Sequence, residues 1–87
     1  MVEKKVGVKN KHGLHARPAA MFVQKASGYP FAISVEKDGK SADAKSILSI
    51  MALAVQKGDE VVLKAEEGEK AQEVLDALEQ ILLDTEA

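Results

Sequence analysis

Phe31-Ala32-Ile33-Ser34-Val35-Glu36-Lys37-Asp38-Gly39-Lys40-Ser41-Ala42-Asp43-Ala44 is the stretch on which the fold turns. Phe31, Ile33 and Val35 alternate with Ala32, Ser34 and Glu36. An apolar period of two is the mark of a strand with one buried face. Asp38-Gly39 then supplies the residue pair favoured in a tight primed turn, where both central residues take positive φ. The reading is a hairpin, with strands at 31–37 and 40–44. Towards the N-terminus, Val2, Val6 and Val8 share parity around Lys4, which predicts a half-buried strand at 2–8. A polar loop from Lys9 to His15 contains Gly13. Pro18 stands where a helix tolerates proline, in its first turn. Ala19, Phe22, Val23 and Ala26 fall at i, i+3, i+4 and i+7, so residues 16–27 read as a helix that Gly28 ends.

Beyond the hairpin, Ser46 opens a short helix at 47–53, rich in Ile, Leu and Met. Lys57-Gly58-Asp59 turns the chain into a strand at 60–66, with Val61, Leu63 and Ala65 in alternation. Ala71, Val74, Leu75, Leu78, Ile81 and Leu82 form one helical stripe over 69–84. The order is β-α-β-β-α-β-α. Four strands with one wet face, covered on the other by three amphipathic helices, make an α+β, two-layer sandwich.

With 87 residues the chain is read as one domain, 1–87. It has no cysteine, which excludes a disulfide framework and a thiolate metal site. Met-Val-Glu-Lys-Lys opens the chain with no apolar run behind it, and no stretch approaches the roughly 20 apolar residues of a membrane span. A cytoplasmic protein without direct membrane insertion is expected. The net charge of −2 and an aromatic content of 3% argue against nucleic acid as a partner. The strands also lack the stacking aromatics of an RNA-binding sheet.

The chemistry concentrates in Gly13-Leu14-His15-Ala16-Arg17-Pro18-Ala19-Ala20. Eleven of the twelve basic residues are Lys, and the one Arg is here. Its planar fork of donors suits phosphate or carboxylate. The first amides of a helix lack intrahelical partners and its N-terminus carries partial positive charge, which favours an anion. An imidazole there is a nucleophile with an anion cradle around its product, as reversible phosphoryl transfer requires. The competing reading is a His15 that only caps the helix, beside a surface Arg17. A metal site is not expected from His12 and His15, the only histidines, with His12 in the loop.

This run resembles the active site of HPr, the histidine-containing phosphocarrier family of the bacterial phosphoenolpyruvate-dependent sugar phosphotransferase system. Length, element order and a second motif, Lys45-Ser46-Ile47-Leu48-Ser49-Ile50-Met51, extend the resemblance over nearly the whole chain. It implies an open-faced β-sandwich with strand order 1-4-2-3 and three helices on one face. It implies a carrier rather than a stand-alone enzyme, with no cofactor. His15 would carry the phosphoryl group on Nδ1. Arg17 would neutralise it, and the amides of Ala16 and Arg17 would bind its oxygens. Enzyme I would be the donor and enzyme IIA domains of sugar permeases the acceptors. Both would dock on Ala20, Met21, Gln24, Ile47, Leu48, Met51 and Ala52, with Ile50 and Leu53 kept for the core. For Ile47, Leu48 and Met51 the alternative is core packing. A carrier passing between partners is expected to be a monomer.

Ser46 has two compatible roles: helix N-cap and, by the resemblance, the site of phosphorylation by an ATP-dependent HPr kinase/phosphorylase. The added phosphate would hinder Enzyme I and could create a site for a transcriptional regulator. Four positions depart from the family pattern. His12 stands where a small polar residue is usual, as either a solvated loop residue or a modulator of His15. Ser49 and Ala54 stand where glycine is common, and Leu48 replaces a frequent Met. Two other functions stay open at this level. One is a paralogous carrier of a nitrogen-related or dihydroxyacetone phosphotransferase chain. The other is a non-catalytic α/β-sandwich binding module with a structural His15.

Overall fold

The structure, a computed structural model, describes residues 1–11 and 13–84. Its elements are β1 (Val2–Gly7), α1 (Ala16–Ser27), β2 (Ile33–Lys37), β3 (Lys40–Asp43), α2 (Ile47–Leu53), β4 (Glu60–Ala65) and α3 (Ala71–Leu83). The four strands form one antiparallel sheet in the order β1-β4-β2-β3.

The hairpin closes as its sequence demands. Lys37 pairs with Lys40, and between them Asp38 and Gly39 have φ of 51° and 79°. Two consecutive left-handed residues match the right-handed twist of the strands they join. Register then sorts every side chain. Val6 opposes Val61, Val35 opposes Leu63 and Ala42, and Ile33 opposes Ala65. All seven are buried, whereas Lys5, Val62, Lys64, Ser34, Glu36 and Ser41 on the other face meet water. There Lys64 Nζ bridges to Glu36 Oε1 at 3.2 Å.

The helices cover the apolar face. Phe22, Ala19 and Ala26 come from α1, Ile50 and Leu53 from α2, and Val74, Leu75, Leu78 and Leu82 from α3, all within one buried cluster. The helix α3 is also tied to the edge strand, where Lys4 Nζ lies 2.7 Å from Asp76 Oδ1 and 3.0 Å from Glu79 Oε1. Those bonds, Asp76's first, raise the Lys4 pKa above its ordinary value. The same contact with Lys4, followed by one from Gln72, lowers that of Asp76.

Element boundaries differ from the sequence reading by one or two residues; β3, β4 and α3 each end one residue early, and the other three differences have local reasons. The regular part of β2 starts at Ile33, not 31. The Ala32 amide is taken by the Glu66 carboxylate at 2.7 Å, and Phe31 turns to Tyr29, with ring centroids 5.7 Å apart. Val8 lies outside β1 but stays paired: its amide donates to Asp59 O at 2.8 Å and its carbonyl accepts from Gly58 at 2.9 Å. A tight turn precedes α3, with the Ala71 amide on Gly68 O, so the α-helical ladder begins only with Val74 N–H on Lys70 O. Gly28 does follow α1, but at φ −75°, so its place does not depend on left-handed backbone.

Candidate functional site

His15 is the N-cap residue of α1, in extended conformation at φ −82° and ψ −171°. Its carbonyl accepts the first helical bond, from Ala19 N–H at 2.8 Å. Pro18 has no N–H to offer, so the first turn presents the amides of Ala16 and Arg17 without intrahelical acceptors. The half-buried imidazole makes no capping bond to that turn, which removes the simplest structural role considered for it. No acidic residue occupies the first turn. Among the described residues Arg17 enters no ion pair, and its side chain is exposed. A cation, two amides and a helix N-terminus with no nearby carboxylate in that turn suit an anion.

The approach to His15 is held from both sides. Gly13 has φ +66°, and a Cβ there would fall against the Val55 carbonyl oxygen and 2.6 Å from Gln56 Cα. Only glycine supplies both the left-handed backbone and the empty space. Next to it, Leu14 N–H donates to Val55 O at 3.0 Å, and the Leu14 side chain is buried. The segment following α2 thus forms the wall against which His15 is presented.

That segment is itself clamped. Ala54 caps α2 in left-handed conformation, φ 54° and ψ 47°. Lys37 reaches from the hairpin to donate to Ala54 O at 2.8 Å and lies 3.0 Å from Asp59 Oδ2. Asp59 in turn accepts from Gln56 N–H at 2.8 Å. The Gln56 amide first, and Lys37 second, lower the Asp59 pKa. None of this chain of contacts was legible beforehand, apart from the turn at Gly58. It joins Lys37 to residues remote in sequence through a backbone carbonyl and a carboxylate, which only the fold brings together.

The residues expected to meet a partner all lie on the surface of α1 and α2. Met21, Ile47 and Met51 are 44%, 40% and 42% exposed, and Leu48 is 80% exposed. Ala20, Gln24 and Ala52 are exposed beside them. Ile50 and Leu53 turn inward, so the apolar surplus on α2 is not core. Ser46 is the N-cap of α2, with its Oγ accepting from Ser49 N–H at 3.3 Å. His12 lies outside the described residues. Among those residues, no group of three or more His, Asp and Glu is arranged to hold a metal ion. No helix among them is long and apolar enough to cross a membrane.

A family model described as PTS HPr component phosphorylation site matches residues 2–84. The HPr-like protein Crh of Bacillus subtilis (strain 168) is 53% identical over 78 residues, covering 90% of this chain and 91% of that protein. The crystal structure of a phosphocarrier protein HPr from Bacillus anthracis str. Ames superposes with a TM-score of 0.87 at 47% identity, covering 93% of this chain and 95% of that one. The solution structure of Crh, the Bacillus subtilis catabolite repression HPr, gives a TM-score of 0.70 at 47% identity, covering 95% of this chain and 98% of that one. Its four-stranded sheet, its three helices and these matches agree: the chain belongs to the HPr family of the phosphotransferase system.

Proposed function

We propose that this chain, acting as a single cytoplasmic domain, carries a phosphoryl group on His15 Nδ1 from phospho-Enzyme I to enzyme IIA domains of sugar permeases. The observation that carries the reading is His15 at the N-cap of α1, beside the first-turn amides of Ala16 and Arg17 and the exposed Arg17 side chain. In the forward step, a new Nδ1–P bond forms as the bond from phosphorus to the donor breaks. The amides of Ala16 and Arg17 receive the phosphoryl oxygens and the Arg17 guanidinium offsets their charge. Fixed dipoles and one cation of this kind supply most of the catalysis in phosphoryl transfer. Ala20, Met21, Gln24, Ile47, Leu48, Met51 and Ala52 form the docking face. Turnover belongs to the partners, and the chain acts as a relay.

The test is intact-mass spectrometry after incubation with Enzyme I, Mg²⁺ and phosphoenolpyruvate. One added phosphoryl group, lost in mild acid and absent in His15→Ala, is expected. A folded wild-type chain that gains no mass, while a control HPr is labelled in parallel, would reject the carrier role.

Ser46 supports a second, regulatory reading, in line with the similarity to proteins named Crh. An ATP-dependent HPr kinase/phosphorylase would transfer the γ-phosphoryl group to Ser46 Oγ, releasing ADP and a proton. Charge added at the N-terminus of α2 is compatible with the fold. It sits beside Ile47 and Leu48, where it would slow Enzyme I and offer a transcriptional regulator a new contact. Incubation with that kinase and ATP should label the wild type and not Ser46→Ala. Equal labelling of both would reject this site.

A further inference from the structure

Asn10 is the one buried polar residue among those described, with no exposed surface. It sits five residues before His15, and the contacts around it explain its burial. Helix α3 ends without a basic residue in its last turn and with Asp84 extended, so its last carbonyls need donors from elsewhere. The loop after β1 supplies them. The amides of Lys9 and Asn10 both donate to Leu82 O at 2.9 Å, and Asn10 Nδ2 donates to Ile81 O at 3.4 Å. The Asn10 carbonyl then accepts from Gly13 N–H at 3.1 Å, which starts the tight left-handed approach to Leu14 and His15.

We infer that Asn10 is a positioning residue for His15, holding the loop that carries the imidazole against the C-terminus of α3. The inference rests on the carrier role proposed for His15. The loop has two anchors. At its exit, Leu14 is pinned to Val55 O and Gly13 packs against the Val55–Gln56 backbone with no room for a side chain. At its entry, the anchor is Asn10 on α3. Its two backbone groups fix the path, and its side chain adds a contact to Ile81 O that depends on residue type. Loss of the Nδ2 donor leaves Ile81 O without that bond and opens a void beside it. The entry end then loosens, whereas the α1 and α2 surfaces keep their residues and their packing. Misplacing a reacting group by about 1 Å can slow a reaction by about 100-fold, so a small shift is enough to be read in the rate.

Two variants test this, Asn10→Ala and the milder Asn10→Ser, so that loss of fold in one leaves the other readable. Each is compared with the wild type as substrate of Enzyme I, with kcat and KM measured separately, and by amide hydrogen exchange. Positioning predicts that kcat falls about tenfold while KM stays within about twofold, because docking is untouched. It also predicts faster exchange at Gly13 and Leu14 than across the sheet. Unchanged kcat in a folded variant would overturn the inference. So would exchange raised evenly over the whole chain, which marks Asn10 as a stability residue and nothing more. A wild type that accepts no phosphoryl group would remove the carrier reading itself, and the control reaction separates that outcome from a failure confined to Asn10.

Discussion

Ala54 holds the left-handed conformation that its position requires, although alanine resists it. The clash of Cβ with the following carbonyl costs about 1–2 kcal/mol, partly balanced by the lower chain entropy of alanine relative to glycine. Ala54→Gly should therefore stabilise the chain by about 1 kcal/mol, read as a higher urea midpoint at unchanged m-value. A lower midpoint would show that the surroundings of Ala54 depend on its methyl group. At the same scale, Ser46 illustrates how much a sequence can reveal. A serine before an Ile/Leu/Met run announced a cap, and its Oγ does accept from Ser49 N–H. Replacing it with alanine should cost about 1 kcal/mol in the same measurement. Asn10 and Lys37 announced nothing, because their partners are carbonyls of α3 and α2 brought near only by the fold.

Between elements, the tie from β1 to α3 has a pH signature. The folded-state pKa of Asp76 lies below its ordinary value, so its contribution is present above about pH 4 and is lost as pH falls through the depressed value. Lys4 is shifted the other way. Its contribution is complete below about pH 10 and is lost as pH rises through the raised value. The stability difference between wild type and Lys4→Met should be flat across neutral pH and shrink at both extremes. It should be small and weaken with salt, as expected for exposed pairs. A difference independent of pH would mean that Lys4 acts through its aliphatic stem. On the helices, Leu48 is 80% exposed, so Leu48→Glu should alter stability by no more than about 0.5 kcal/mol. If α2 docks Enzyme I, the KM for the variant should rise about tenfold, a loss of about 1.4 kcal/mol. An unchanged KM would move the docking face elsewhere.

For the molecule as a whole, β1 pairs with a strand remote in sequence, Val2 opposite Ala65, so neither edge nor core exists until distant segments meet. Phe22 lies fully buried in the cluster shared by the sheet and all three helices. Phe22→Ala should cost about 3–5 kcal/mol. Against a total of about 5–15 kcal/mol, that is enough to lower the thermal midpoint steeply. A cost under about 1 kcal/mol would mean that the core closes over the void. The same cluster holds α1 and α2 in place, so such a variant should lose phosphoryl transfer only as it unfolds.

Read alone, the sequence determined the element order, the hairpin with its Asp38-Gly39 turn and the inward side of each element. These follow from periodicity and turn chemistry, which act over a few residues. It also singled out His15, Arg17 and Ser46, because helix starts have readable signatures. The strand order came from family resemblance, and sheet pairing confirms it. Only the tertiary structure decided that Gly13 fits against the Val55–Gln56 backbone, that Lys37 and Asp59 brace that backbone, and that Asn10 closes the end of α3. Those contacts run largely to main-chain groups of remote segments. Every residue carries the same main-chain groups, so their pairing appears only when the chain is folded.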